Sequence, residues 1–299
     1  TNESRNKYRD MLFTTNELEK YISGIIMFDE TIHQNTVNSN IPFPKYLNEK
    51  GILTGIKVDT GAKNLAGTKN EKITEGLDNL RSRIQEYKDL GASFAKWRAV
   101  ISIDSENSIP SKSCIYANAH ALARYASICQ ENNIVPIVEP EVIMDGKHDI
   151  KKCQEVTKMV LNIVFEQLSL MNVLLEGIVL KPNMIICGKD CEKSCSDDPK
   201  KVADLTLQSL LESVPKEVPG IAFLSGGQSS DLATKHLNLM NKIASKEGLN
   251  DYWNLTFSYG RALQQDSLSI WKDEDTKLAQ EKLLYRAKMN SLASKGLIE

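Results

Sequence analysis

The chain has 299 residues, 41% of them apolar and 25% charged, which is the balance of a globular protein and excludes a disordered one. Its formal net charge of −2, from 37 basic and 39 acidic side chains, provides no broad field for nucleic acid or a membrane surface. An anionic ligand must therefore be held by a local cluster of cations.

The start, Thr1-Asn2-Glu3-Ser4-Arg5, is polar, is not a signal peptide and lacks a Met, so the chain is expected to begin inside a longer protein. No window reads as a transmembrane helix. The apolar runs that follow, rich in Ile, Val and Phe, predict strands at Tyr21–Glu30, Ile52–Asp59, Ala92–Ile103, Ile134–Val142, Val173–Asn183, Gly220–Gly227 and Leu255–Arg261. Between them helical spacing predicts helices at Glu71–Leu90, Ser111–Asn132, Ile150–Leu170, Pro199–Ser213 and Ser229–Glu247. A charged helix over Asp273–Ser294 is expected to cover the barrel. Asp149 reads as an N-cap, Pro110-Ser111 as a helix start, and Gly91 and Gly248 as helix stops.

Strands alternating with helices imply right-handed crossovers and a parallel sheet. The strands are apolar almost throughout, as in Ile134-Val-Pro-Ile-Val138, the pattern of a sheet buried on both faces. Nearly every strand ends in polar residues. A doubly wound sheet concentrates its site at one switch point, whereas an α/β barrel gathers all its strand ends around one axis. The expected fold is thus a TIM (β/α)8 barrel spanning residues 1–299 as one domain. Only about seven of its eight strands are found.

Residues two apart on a strand share a face. Lys57 with Asp59, Lys96 with Arg98, and Glu139 with Glu141 are such pairs, and Lys181 ends the run Leu174-Leu-Glu-Gly-Ile-Val-Leu180. One pair alone reads as a buried ion pair that only stabilises the fold. Repeated on consecutive strands, such pairs point to a site, because buried ion pairs are costly to desolvate. A lysine emerging from an apolar strand beside Lys96 and Arg98 favours the neutral amine, which adds to carbonyls and forms a Schiff base. Glu139 is the candidate proton donor and acceptor, with a pKa expected to be raised by its shielded pocket.

The turn Phe223-Leu-Ser-Gly-Gly-Gln-Ser229 lets backbone N–H groups approach an anion at a helix start, and Arg261 of Ser258-Tyr-Gly-Arg261 suits a bidentate phosphate contact. Six cysteines are too few for a disulfide scaffold and read as reduced thiols. Cys187, Cys191 and Cys195 do not have zinc spacing and read as ordinary loop thiols. Trp97, Trp253 and Trp271 read as packing residues. Four scattered histidines indicate neither a metal centre nor a Ser-His-Asp site.

The words Gly55-Ile-Lys-Val-Asp59, Phe94-Ala-Lys-Trp-Arg98, Leu122-Ala-Arg-Tyr-Ala-Ser-Ile-Cys-Gln130, Ile134-Val-Pro-Ile-Val-Glu-Pro-Glu141, Leu180-Lys-Pro-Asn-Met184, Phe223-Leu-Ser-Gly-Gly-Gln-Ser229 and Leu255-Thr-Phe-Ser-Tyr-Gly-Arg-Ala-Leu-Gln264 occur in this order. Across the whole chain they resemble class I fructose-bisphosphate aldolase. The resemblance implies cleavage of fructose 1,6-bisphosphate to two triose phosphates in glycolysis, without metal or cofactor. It makes Lys181 the Schiff-base lysine, Glu139 its acid/base and Lys96 an assisting lysine. Arg98, Glu141, Lys57 and Asp59 are expected around the substrate. Ser225, Gly226, Gly227, Ser258 and Arg261 would hold one phosphate, and Arg5 would lie near the other.

The resemblance further implies a phosphorylated sugar as partner, a cytoplasmic location and a homotetramer, with no nucleic acid and no membrane. The family's first strand, with its Asp, and its C-terminal tail have no counterpart here. That predicts an open barrel, lower stability and impaired cleavage. A catalytically impaired isoform or fragment acting by protein binding is the alternative, and a transaldolase-like Schiff-base enzyme is a third reading.

Overall fold

The computed structural model describes residues 1–192, 198–271 and 275–299. In chain order it contains α1 (Asn2–Phe13), β1 (Gly24–Met27), α2 (Asp29–Ile32), α3 (Phe43–Glu49), β2 (Leu53–Lys57), β3 (Gly61–Asn64), β4 (Lys72–Glu75), α4 (Leu80–Asp89) and β5 (Ala92–Ile101). There follow α5 (Lys112–Glu131), β6 (Val135–Val142), α6 (Ile150–Leu170), β7 (Val179–Leu180), α7 (Pro199–Ser213), β8 (Gly220–Phe223), α8 (Ser230–Glu247), β9 (Asn254–Phe257), α9 (Arg261–Trp271) and α10 (Thr276–Ala293).

Seven strands form one parallel sheet in the order β1-β2-β5-β6-β7-β8-β9. Six lie within the expected runs and β9 begins one residue before its run, at Asn254; the order is that of an α/β barrel whose successive strands are neighbours. Among the described residues β1 and β9 are the edges and no strand joins them. None of the described helices is long and apolar enough to cross a membrane.

The pairing register sets the two faces of the sheet. Lys57 faces Lys96, Arg98 faces Glu139, and Ile137 faces Val179. These residues and those two positions on from them therefore share the inner face. Ile56, Ala95, Trp97, Val138, Leu180, Ile221 and Phe223 alternate with them, point to the helices and are wholly buried. Trp97 stacks on Tyr125 of α5 with ring centroids 5.6 Å apart. Large aromatic surfaces of this kind dominate the energetics of a core. Inside the barrel, Phe94 lies across β1 and β2. A Cβ at Gly55 would come within 2.1 Å of its ring, and one at Gly24 within 3.1 Å.

Local signals account for the helix ends. The Asp149 and Ser111 side chains accept from the backbone N–H of Lys152 and Cys114. Gly248 stops α8 in the left-handed conformation at φ 72°. Three expectations change. The segment expected as one helix over Glu71–Leu90 begins as β4, paired antiparallel with β3, and only α4 is helical. Thr74 and Asn118 hold the hairpin to β5 and α5 through bonds to Arg98 O and Lys72 O. The run Val173–Asn183 contains a 3-10 turn at Leu175–Gly177, and β7 is only two residues long. Lastly, α10 packs chiefly on α8 and α9 rather than over the barrel, burying Ala279, Leu283 and Ala287. The expected start of that helix at Asp273 lies outside the described residues.

Candidate active site

The inner-face side chains at the C-terminal ends of β5, β6 and β7 converge. Glu139 of β6 is 3% exposed and lies between two lysines. Its Oε1 is 3.2 Å from Lys181 Nζ and its Oε2 is 3.0 Å from Lys96 Nζ. One turn of the strand pleat further out, Arg98 pairs with Glu141. On the neighbouring strand end, Lys57 Nζ lies 2.5 Å from Asp59 Oδ1 and 2.9 Å from the Asp59 carbonyl. Asp59 also accepts from the backbone N–H of Arg98, which ties this pair to β5. Every cation in the row thus has a carboxylate, and all of them share the inner face.

Lys181 is 8% exposed. Burial is the main influence lowering its pKa, Lys96 adds to it, and Glu139 opposes both. A lysine so placed gives up its proton more readily than one in water, as the apolar run suggested. Glu139 departs from expectation. Burial acts to raise its pKa, but the charges of Lys181 and Lys96 outweigh it and hold the pKa low. The pocket is shielded from water yet rich in cations, and the cations decide the direction. In the resting site Glu139 is a carboxylate.

The glycine turn lies beside this cluster. Leu224 N donates to Pro182 O at 3.2 Å, and Ser258 N donates to Phe223 O at 2.8 Å. These two backbone bonds place Lys181, Ser225 and Ser258 at adjoining strand ends. Gly226 and Gly227 adopt φ 58° and 74°, a left-handed conformation glycine enters without steric cost. At Gly227 a Cβ would also come within 2.7 Å of Met144 Sδ. Arg261 is the first residue of α9 and not the end of a strand. It is exposed, and its guanidinium has no acceptor among the described residues.

Arg5 is placed apart from the lysines. On α1 its guanidinium binds Glu30 through two nitrogens, at 3.0 and 2.6 Å, and Arg9 joins the same carboxylate. Hydrogen bonds from Arg5 and Arg9 pull the Glu30 pKa down to about 2. Glu30 follows β1, so this ion cluster stands at the open edge of the same barrel face. The expected strand Tyr21–Glu30 ends on this carboxylate, but its arginine partners lie 21 and 25 residues earlier on α1, where strand parity gives no sign of them. Gln228 and His236 were also missed as partners of the turn. The amide directly after two glycines was the one signal available for them.

Cys187 is disulfide-bonded, where a free loop thiol was expected. Absence of zinc spacing says nothing about disulfide formation. Cys191 is a free thiol, and Cys195 lies outside the described residues. Trp97 and Trp253 are buried, and Trp271 packs on Tyr8 with ring centroids 5.1 Å apart. A cavity of about 880 Å3 opens between the β3–β4 hairpin, α4 and α5, lined by Lys57, Asp59, Arg83 and Arg124. A smaller one of about 370 Å3 lies beside the glycine turn, lined by Met144, Gly227, Gln228 and His236. Neither is lined by Lys181, which sits at the mouth of the barrel.

A parallel α/β barrel with a buried lysine–carboxylate–lysine row inside its C-terminal mouth defines the general class. Residues 1–299 match the class-I fructose-bisphosphate aldolase family, whose description is glycolytic. A Xanthomonas campestris protein named "probable fructose-bisphosphate aldolase class 1" is 52% identical over 299 residues, covering 99% of this chain and 86% of its own. The cytoplasmic isozyme 2 of fructose-bisphosphate aldolase from Pisum sativum is 48% identical over 296 residues, covering 98% and 80%. The solved structure of Plasmodium falciparum fructose-bisphosphate aldolase, in complex with TRAP and a small-molecule inhibitor, superposes with a TM-score of 0.95 at 46% identity. That match covers 100% of this chain and 84% of the other. The chain belongs to the class-I fructose-bisphosphate aldolase family. With that membership comes the family's activity, a carbon–carbon lyase of glycolysis acting on a phosphorylated sugar.

Proposed function

We propose that this chain cleaves fructose 1,6-bisphosphate through an imine on Lys181, with Glu139 as proton carrier and Lys96 as the lysine that holds Glu139 in place. The observation that supports this best is the buried Lys96–Glu139–Lys181 row with Lys181 depressed in pKa. Lys181 gives its ammonium proton to the Glu139 carboxylate, 3.2 Å from Nζ in the resting site; the neutral amine adds to the C2 carbonyl as Glu139 protonates the carbonyl oxygen, and the proton the added nitrogen then loses passes back to Glu139. Once Lys181 is no longer a charge neighbour, Glu139 is left in a buried site with one cation fewer, and its pKa rises. It then returns the proton to the departing hydroxyl, which leaves as water. The resulting iminium accepts the electron pair of the C3–C4 bond as the C4 hydroxyl loses its proton to a carboxylate of the row. The aldehyde product leaves, the enamine is protonated, and hydrolysis restores the amine.

In this reading Ser225, Gly226, Gly227, Ser258 and Arg261 hold the phosphate nearest the imine. Arg98 and Glu141, with Lys57 and Asp59, line the substrate path. Arg5 reaches the second phosphate only after exchanging Glu30 for it. Residues 1–299 act as one domain, in the cytoplasm, as a homotetramer. The name of the pea relative supports the location, and the family supports the assembly.

The test is to incubate the chain with dihydroxyacetone phosphate, reduce with borohydride and map the adduct by mass spectrometry. A single reduced adduct on Lys181 is expected. An adduct on another lysine with Lys181 unmodified overturns the assignment. The absence of any adduct, in a chain that binds dihydroxyacetone phosphate, would favour a protein-binding role.

A further inference from the structure

Within α8, facing the glycine turn, lies a histidine that the mechanism does not use. His236 is 1% exposed, and its Nδ1 lies 2.6 Å from Gln228 Oε1. The other end of that amide, Nε2, donates to the Ser225 carbonyl at 2.9 Å and approaches Met184 Sδ at 3.4 Å. A carbonyl only accepts, so the end of Gln228 that faces Ser225 is the NH2 group. The opposite end is then the oxygen, which also only accepts, so His236 carries its proton on Nδ1.

The second ring nitrogen, Nε2, is buried and has no partner among the described residues. A proton on it would be a buried donor without an acceptor, a costly arrangement. The ring is therefore neutral, and burial, with a smaller contribution from Lys235, pushes its pKa down to about 4. Both the tautomer and the charge state follow from the hydrogen-bond pattern.

The Ser225 carbonyl receives a second bond from the backbone N–H of Gln228 at 3.1 Å. Gln228 thus closes the Ser225-Gly226-Gly227 turn with two donors on one acceptor. We infer that His236 is a positioning residue for phosphate binding: it orients the Gln228 amide, which pins the Ser225 carbonyl and so aims the N–H groups of the turn. The inference rests on the assignment of this turn to phosphate. Two glycines in left-handed conformation have no side chains to restrain them, so their direction depends on such an outside tether. The ring and the amide both border the 370 Å3 cavity, so a ring replaced by an apolar group leaves the amide without that restraint.

The test compares the full chain with its His236→Leu and His236→Asn variants. The Asn side-chain nitrogen takes roughly the place of Nδ1 and donates the same bond, whereas Leu fills space without a donor. The readout is the concentration of dihydroxyacetone phosphate that half-saturates borohydride trapping. His236→Leu is expected to raise it about tenfold with the limiting trapping rate unchanged, the effect of one lost buried hydrogen bond, and His236→Asn to restore it to within about twofold. Trapping by unphosphorylated dihydroxyacetone is expected to be equal in all three proteins. An equal rise for both ketones, or no rescue by Asn, overturns the inference.

If His236→Leu does not fold, the nitrogen NMR spectrum of the native ring decides. A proton on Nε2 in place of Nδ1 refutes the relay. If the native chain traps no ketone, the Lys181 assignment falls by itself. Inorganic phosphate then tests His236 separately, because it should shift the Gly226 and Gly227 amide signals of the native chain and much less those of His236→Asp or His236→Leu. Equal shifts in all of them would end the proposal.

Discussion

Glu139→Gln keeps the volume of the side chain and removes the charge between two ammonium groups. The carboxylate lies 3.2 Å from Lys181 Nζ and 3.0 Å from Lys96 Nζ. At an effective dielectric of ~20, each contact contributes about 5 kcal/mol of attraction, against a desolvation penalty of similar order. With the charge gone, two buried ammoniums face an amide, and the least costly relief is the loss of a proton. Burial and Lys96 already lower the Lys181 pKa, and Glu139 is the largest influence opposing them, so the pKa falls further. About 1.4 kcal/mol of lost attraction moves it by one unit.

The rate of adduct formation at Lys181, measured against pH at saturating dihydroxyacetone phosphate, rises as the amine loses its proton. In Glu139→Gln that rise should move to lower pH by at least ~1 unit, while the plateau drops by roughly 10²–10⁴, the usual contribution of a general acid–base group. Stability follows the same linkage. A lysine whose pKa is lower folded than unfolded binds fewer protons in the native state, so stability increases with pH up to the unfolded value. The loss caused by Glu139→Gln should therefore shrink toward alkaline pH. A rise that stays in place or moves to higher pH, or an undiminished plateau, would refute the charge argument.

Arg261→Ala should weaken phosphorylated substrates by ~1.5–3 kcal/mol, the cost of a lost charge-assisted contact, and leave trapping by dihydroxyacetone unchanged. Equal weakening of both in the trapping assay would remove Arg261 from the phosphate site. Gly55→Ala should destabilise the fold by ~1–3 kcal/mol in urea unfolding, because the new methyl would lie 2.1 Å from the Phe94 ring. Adding Phe94→Leu should recover part of the loss, and a Gly55→Ala protein as stable as the parent would contradict the packing described.

The seven barrel strands were legible because apolar runs ending in polar residues recur along the chain between stretches of helical spacing. The hairpin was not. Gly61-Ala-Lys-Asn64 and Lys72-Ile-Thr-Glu75 alternate too weakly to read as strands, and what fixes them is tertiary, namely the bonds from Thr74 and Asn118. Leu174 and Leu175 looked like strand because they are apolar, but Leu174 is 61% exposed and heads a 3-10 turn. In the candidate site, parity along each strand identified the inner-face cations and carboxylates. It could not tell which carboxylate meets which cation. The pKa of Glu139 depends on that pairing, which is why shielding alone suggested the wrong direction. The tether from His236 to Ser225 joins a helix, an amide and a loop carbonyl, and no periodicity connects them.

The alternation that sends Lys96 inward and Trp97 outward also constrains how genes for this fold can change length. A one-residue deletion within β5 would exchange the two, placing an indole in the barrel mouth and an ammonium against Tyr125. The same holds for Val138 and Glu139 on β6, and for Leu180 of β7 and Lys181 directly after it, where a strand of two residues leaves no slack to absorb the slip. Insertions and deletions should therefore be confined to the connections, and each strand of the site should keep a fixed count of residues between its entry and its charged end. A library of single-codon deletions, scored for folded protein, would show sharp intolerance over these three strands and relief in the loops that flank them.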